Sequence, residues 1–299
     1  MQKRSVFALA LSALTALALT GCSAGSSADD GKVRVVASTN VYGDIASTIA
    51  GDAVEVTSLM SDPAQDPHSF EASAQSQLAV SKADILIENG GGYDSFMDTL
   101  RSGSKNTKAT VLNVVDLSGT KAESGGLNEH VWYDFPTIEK FTTALADALV
   151  KADPSQKATF TENADAFSGK LAALQNREAE LKTNYAGEGV AITEPVPLYL
   201  LEAIGLVDKT PEKFSAAIEE GSDVSPLVLQ ETLALFSRHQ VKLLAYNEQT
   251  SGPETERVLA AAKQAGVPVV PVTETLPKGK DYIGWMNANL DAVGAALAK

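Results

Sequence analysis

The chain is short of cysteine, of histidine and of positive charge, and each shortage removes a class of function. One Cys in 299 residues leaves no room for an intramolecular disulfide framework or for a cysteine-rich zinc or iron–sulfur site. Lys and Arg number 24 against 38 Asp and Glu, a net charge of −14. Such a chain offers no clustered basic footprint for phosphates, so nucleic acid is not an expected partner. No apolar run reaches the roughly 18–20 residues of a membrane span. From Val33 onward there is no His-Glu-x-x-His helix and no Gly-x-Ser-x-Gly elbow. What remains is ordinary for a globular protein: 44% hydrophobic and 21% charged residues are enough to build a core.

The first residues stand apart. Lys3 and Arg4 precede an apolar stretch from Val6 to Leu19, the layout of a secretory signal peptide. Leu19-Thr20-Gly21-Cys22 follows at once and resembles a bacterial lipoprotein box. That resemblance implies cleavage before Cys22, lipid attachment to its sulfur, and an extracytoplasmic protein anchored to the outer face of the cell membrane. Removing residues 1–21 takes Lys3 and Arg4 with it, leaving 22 basic against 38 acidic residues, a net charge of −16. Residues 22–32, rich in Ser, Gly and Asp, read as a flexible tether.

The remainder reads as α/β, in two similar lobes, each a mainly parallel sheet flanked by helices. The first lobe spans 33–153. Strands are expected at Val33–Ala37, Ala53–Met60, Ile85–Ile87 and Val111–Val115, with helices at Val41–Ala50, Ala74–Ser81, Tyr93–Leu100 and Pro136–Lys151. Leu117 to Asn128 reads as loop. A connecting helix occupies 154–186, with Pro154 in its first turn and Phe160, Phe167, Leu171, Leu174 and Leu181 at helical spacing. At 1.5 Å per residue it spans about 45 Å. So stiff a connection predicts small lobe movements on ligand binding; a large compaction in solution scattering would contradict this. The second lobe, 187–299, has strands at Val190–Thr193, Val241–Tyr246 and Val267–Val272. Its helices fall at Leu198–Ile204, Pro226–Arg238, Glu254–Gln264 and Tyr282–Leu297.

Two of only three histidines sit in dense motifs where strands give way to helices. Asp66-Pro67-His68-Ser69-Phe70-Glu71 follows the second strand, in the region where open α/β sheets place ligands, with Pro63 and Pro67 stiffening it. His130-Val131-Trp132-Tyr133-Asp134 precedes Pro136 at another helix entry. The stiff loop lets His68 present a ligand at little entropic cost, and His130 can ligate a metal through one ring nitrogen while a nearby acid or carbonyl orients the other. Either can equally be structural, His68 bonding backbone and His130 packing on Trp132.

These two motifs, with the lipoprotein box and the long helix, resemble the substrate-binding lipoproteins of bacterial ABC importers for zinc and manganese, over essentially the whole mature chain. The resemblance implies a receptor that carries a divalent metal ion, Mn²⁺ or Zn²⁺, as cargo between two lobes, and passes it to an ABC permease driven by a cytoplasmic ATPase. It matches His68 and His130 to the family's two N-terminal ligands. Thr193-Glu194, followed by Tyr199 and Gly205, matches the third, so Glu194 takes that place; Val272-Thr273-Glu274-Thr275 gives Glu274 the fourth. Three departures stand out. Residues 118–128 lack the His-rich loop of many zinc carriers, Glu274 stands where Asp is usual, and Pro195 and Pro197 follow Glu194.

Two neutral imidazoles and two carboxylates carry −2, the charge that balances a divalent ion. Carboxylates favour Mn²⁺ as hard ligands, whereas the Irving–Williams order favours Zn²⁺. The two carboxylates and the missing loop tilt the reading toward manganese. Taken singly, Glu194 reads as a helix cap and Glu274 as a solvated loop residue; the motifs acquire force together. The expected receptor is a monomer and not an enzyme. Two rivals use the same residues: a metallohydrolase with Glu71 or Asp134 as general base, and a surface adhesin stapled by its metal. His239 reads as a surface residue at a helix end, Gly90-Gly91-Gly92 as a tight turn, and Glu248 as an outer hydrogen-bond acceptor.

Overall fold

β1 (Val33–Thr39) begins as an almost unbroken apolar strand, buried on both faces as a central parallel strand must be. This computed structural model describes residues 31–62, 70–121 and 126–299. The expected signal peptide and Cys22, with nearly all of the tether, lie outside the described residues, and so does His68. Lys32–Lys299 forms one compact unit.

The first sheet alternates strand and helix: β1, α1 (Asn40–Ala50), β2 (Val54–Met60), α2 (Ala74–Lys82), β3 (Ile85–Glu88), α3 (Phe96–Ser104) and β4 (Thr110–Asn113). Its strand order is β2-β1-β3-β4, all parallel, with Val35 opposite both Val56 and Ile85. α4 (Val114–Ser118), α5 (Phe135–Ala152) and α6 (Lys157–Tyr185) follow. The second sheet is built from β5 (Gly189–Ile192), β6 (Val207–Asp208), β7 (Leu244–Asn247) and β8 (Val269–Val272), with α7 (Leu198–Ala203), α8 (Glu212–Glu219), α9 (Pro226–Ser237) and α10 (Pro253–Gln264) between them and α11 (Tyr282–Leu297) last. Its order, β6-β5-β7-β8, repeats that of the first, again all parallel.

α6 runs 29 residues, about 44 Å. Phe160, Ala164, Phe167, Leu171 and Leu174 form one buried stripe along it, and the next position of that stripe is Glu178. The stripe packs against α1 and α5 on one side and α7 and α11 on the other. One apolar cluster therefore runs through both halves, from Val35 and Ile87 through Phe141 and Phe167 to Ile192 and Met286. Polar bonds join the halves as well. Asn40 Nδ2 donates to the Leu276 carbonyl at 3.0 Å while the Leu276 N–H donates to Asn40 Oδ1 at 2.9 Å. The Tyr282 hydroxyl donates to the Trp132 carbonyl at 2.7 Å.

The structure corrects several boundaries. Val114 and Val115, read as the end of a strand, begin α4 instead, because Asn113 Oδ1 accepts from the Asp116 N–H at 3.0 Å and caps a new helix. That helix also takes the first residues of the expected loop. α3 starts at Phe96, not Tyr93: Gly90, Gly91 and Gly92 all take positive φ (81°, 70° and 103°), and Asp94 accepts from the backbone N–H of Asn89 and Gly90 at 2.6 and 2.9 Å. The glycine run is thus the tight turn expected of it. β6 and α8 have no counterpart in the sequence reading; two residues are too few to carry a strand pattern.

Candidate metal centre

His130 closes the loop before a 3₁₀ turn, Val131–Tyr133, that leads into α5. The helix begins there because Asp134 Oδ2 accepts from the Thr137 N–H at 3.2 Å, with Pro136 in the first turn. The imidazole is fully buried, edge-on to Trp132 (5.1 Å between centroids) and to Tyr93 (6.0 Å). Asn128 fixes its tautomer. That amide donates from Nδ2 to the Pro195 carbonyl at 3.1 Å, so its Oδ1 is the end facing His130, 2.8 Å from Nδ1 and 3.2 Å from the His130 backbone nitrogen. An acceptor there requires the proton on Nδ1 and leaves a lone pair on Nε2. Nε2 makes no hydrogen bond and stands 3.4 Å from Glu219 Oε1, at the last residue of α8.

The carboxylates come from the carboxyl ends of parallel strands in the second sheet: Glu194 follows β5, where the connections reverse between β5 and β7, and Glu274 follows the edge strand β8. Glu194 lies two residues beyond β5 and Glu274 two beyond β8, at 2% and 1% exposure. Asn247, the last residue of β7, joins them: its Nδ2 lies 2.6 Å from Glu194 Oε2 and 2.8 Å from Glu274 Oε1. The Asn247 backbone N–H is in turn held by Thr193 Oγ1 at 2.9 Å. Gln249 steadies the other loop, its Oε1 accepting from the Glu274 N–H at 2.6 Å and its Nε2 donating to Thr275 Oγ1 at 2.9 Å.

Burial pushes the Glu194 carboxyl up to about 8, and the charge of Glu219 adds to the rise; the Asn247 amide opposes it and Glu274 reinforces it. The Tyr93 hydroxyl is held far above its ordinary range by burial, with Glu274 and then Glu219 among the charges acting on it. Tyr93 belongs to the first half and packs on His130. The same acids therefore act on groups of both halves, and the site gathers carboxyl groups in a water-poor volume, where a divalent cation can take the place of the protons that burial favours.

Of the expected ligands, His130, Glu194 and Glu274 are described, and Glu219 and Asn247 connect them. Cys22 and His68 lie outside the described residues. Sequence reasoning missed Asn128, Asn247 and Glu219. Asn247 left a trace, as a polar residue ending an apolar strand. Glu219 left none, because Glu219-Glu220 in an acidic chain reads as solvated surface. A compact group of possible ligand atoms also includes Glu129: one atom each from Glu129, His130 and Glu219 all lie within 4.8 Å of one another. Glu248 is exposed, and its neighbour Asn247 fills the accessory position next to the acids. Of the general bases a hydrolase would need, Asp134 is engaged as a helix cap and Glu71 is exposed. His239 is exposed beyond α9, as expected of a surface residue.

Among the described residues no helix is long and apolar enough to cross a membrane. Comparison with known proteins gives one consistent answer. The family described as zinc-uptake complex component A, periplasmic, matches residues 35–296. The manganese ABC transporter substrate-binding lipoprotein ScaA of Streptococcus gordonii is 26% identical over 97% of this chain and 98% of its own length. The iron ABC transporter substrate-binding lipoprotein MtsA of Streptococcus pyogenes serotype M1 is 25% identical over 96% of each chain. Among solved structures, the periplasmic zinc-binding protein TroA of Treponema pallidum shares the fold with a TM-score of 0.75 at 22% identity, covering 90% of this chain and all of its own.

Proposed function

The chain belongs to the zinc-uptake component A family, and from that premise we propose that it is an extracytoplasmic receptor that binds one divalent transition-metal ion, manganese ahead of zinc, and delivers it to an ABC importer. Members of the family are binding receptors and not enzymes. The observation that carries the reading is the convergence at the strand ends: Asn247 draws Glu194 and Glu274 together, and the bare Nε2 of His130 faces the same acidic volume through Glu219.

In this reading His130, Glu194 and Glu274 are ligands of the cargo ion, and His68 is the fourth. Lobes 33–153 and 187–299, joined by 154–186, hold the ion between them. Two imidazoles and two carboxylates neutralise its charge, and bidentate carboxylates raise the coordination number toward that preferred by Mn²⁺. Relatives named for manganese and for iron support the leaning toward hard cations. Release to the permease requires only that the imidazoles and the carboxylates be drawn apart, because each half alone offers an incomplete donor set. A lipid on Cys22 keeps this monomeric receptor beside its permease and ATPase.

The test is elemental analysis of the purified chain with competitive titration of Mn²⁺ against Zn²⁺. One tightly held ion per chain, lost in Glu194→Ala, supports the receptor and names its cargo. Absence of stoichiometric metal under every condition overturns it.

A further inference from the structure

Glu219 ends α8, and its side chain is only 12% exposed. Its backbone is held in place: α8 is anchored by the fully buried Phe214, and the turn beyond it is tied down by the Glu220, Gly221 and Ser222 N–H groups bonding back to Ala216, Ile218 and Ala217. The position of the carboxylate is therefore built into the fold.

Its Oε1 lies 3.4 Å from His130 Nε2. With the Nδ1 proton directed to Asn128, that arrangement sets two lone-pair donors face to face without a hydrogen bond between them. The separation has a simple meaning in coordination chemistry. Two ligand atoms bound to one ion at about 2.0–2.2 Å, with about 90–110° between the bonds, lie about 2.8–3.6 Å apart. The observed pair falls inside that range, and the charge of Glu219 also reaches Glu194.

Building on the receptor reading above, we propose that Glu219 is a further ligand of the cargo ion, a third carboxylate supplied by α8 that favours a hard, higher-coordinate ion such as Mn²⁺ over tetrahedral Zn²⁺. Zn²⁺ is satisfied by four donors, whereas Mn²⁺ takes five or six and prefers oxygen. An extra oxygen at a preset position therefore raises the affinity for manganese more than that for zinc.

The experiment is competitive Mn²⁺ and Zn²⁺ titration of the full chain and of Glu219→Ala, Glu219→Gln and His130→Ala, with X-ray absorption at the manganese edge. Glu219→Ala is expected to lower Mn²⁺ affinity by at least about tenfold, to lower Zn²⁺ affinity less, and to remove one oxygen neighbour from the manganese shell. Glu219→Gln, which keeps the shape and one carbonyl oxygen, is expected to lose part of the manganese preference and covers the case in which the alanine variant does not fold. Unchanged or tighter Mn²⁺ binding with an unchanged absorption spectrum in either variant overturns the proposal. His130→Ala separates the two levels. If it abolishes binding while Glu219→Ala does nothing, only the role of Glu219 fails; if it too binds fully, the site itself is misassigned and the proposal falls with it.

Discussion

The Tyr133 hydroxyl donates to the backbone carbonyl of Thr273 at 2.8 Å, across 140 residues of sequence. Tyr133 lies three residues after His130, and Thr273 immediately precedes Glu274, so one bond sets the spacing between an imidazole of the first half and a carboxylate of the second. A second bond works the same way, from the Tyr199 hydroxyl to the Asn128 carbonyl at 2.7 Å. Both bonds hold a segment of the first half, next to His130, against a segment of the second that carries one of the buried acids.

Tyr133→Phe tests that coupling. The ring still fits, but the Thr273 carbonyl loses its donor, a loss of about 1–3 kcal/mol for a buried group. Chemical denaturation of the metal-free protein is expected to show a loss of that size, accompanied by faster metal dissociation in stopped-flow measurements. An unchanged midpoint together with an unchanged dissociation rate would show that the bond does not position the loops.

Asn128→Ala removes the acceptor that keeps the proton on Nδ1. The imidazole then rotates and loses its tautomer preference, and metal affinity is expected to fall about 10–100-fold while stoichiometry stays at one. Calorimetric titration reads both quantities, and affinity equal to that of the parent would refute the orienting role.

Asn247→Leu leaves Glu194 and Glu274 buried without their shared amide. The metal-free form is expected to lose about 1–3 kcal/mol, whereas bound metal supplies the carboxylates with a partner in place of the lost donor. The gap in melting temperature between metal-loaded and metal-free protein should therefore widen relative to the parent; a narrower gap would count against Asn247 as the clamp.

Glu178 supplies a pH prediction remote from the site. It continues the apolar stripe of α6, and burial, with Asp134 adding to it, raises its carboxyl from 4.5 to about 8. Between those values the folded chain binds more protons than the unfolded one, so this contribution to stability is fully present below about 4.5 and is lost as pH rises through about 8. Glu178→Gln removes the dependence. Unfolding free energies measured from pH 5 to 9 should show the variant gaining on the parent as pH rises, and parallel curves would exclude the effect.

The sequence revealed what is written in local periodicity. α11 falls exactly within its expected bounds because a capping Asp281, whose Oδ1 accepts from the Gly284 N–H at 2.6 Å, precedes a regular apolar stripe. α6 is nearly as plain: it begins at Lys157, after a 3₁₀ turn at Pro154–Gln156, and Phe160, Phe167, Leu171 and Leu174 are buried while Leu181 is half-buried. α8 escaped because it is only eight residues long, so its apolar face of Phe214, Ala217 and Ile218 covers a single turn and runs straight into Glu219 and Glu220. The site divides in the same way. His130 was visible within a dense motif, but Glu194 and Glu274 gained meaning only from the family resemblance, each being individually an ordinary acid beyond a strand. Asn247 and Glu219 act through partners 27 to 89 residues away, and no local pattern encodes such a meeting.

The shared strand order of the two sheets reaches beyond architecture. The same plan occurs twice, yet under the proposed reading the two halves offer different donors: the described imidazole, with the carboxylate of Glu129 beside it, belongs to the first, and Glu194, Glu219 and Glu274 belong to the second. Selectivity would then be modular. On that reading, substitutions at the strand ends of the second half would retune which ion is preferred and leave the imidazole half and the fold untouched.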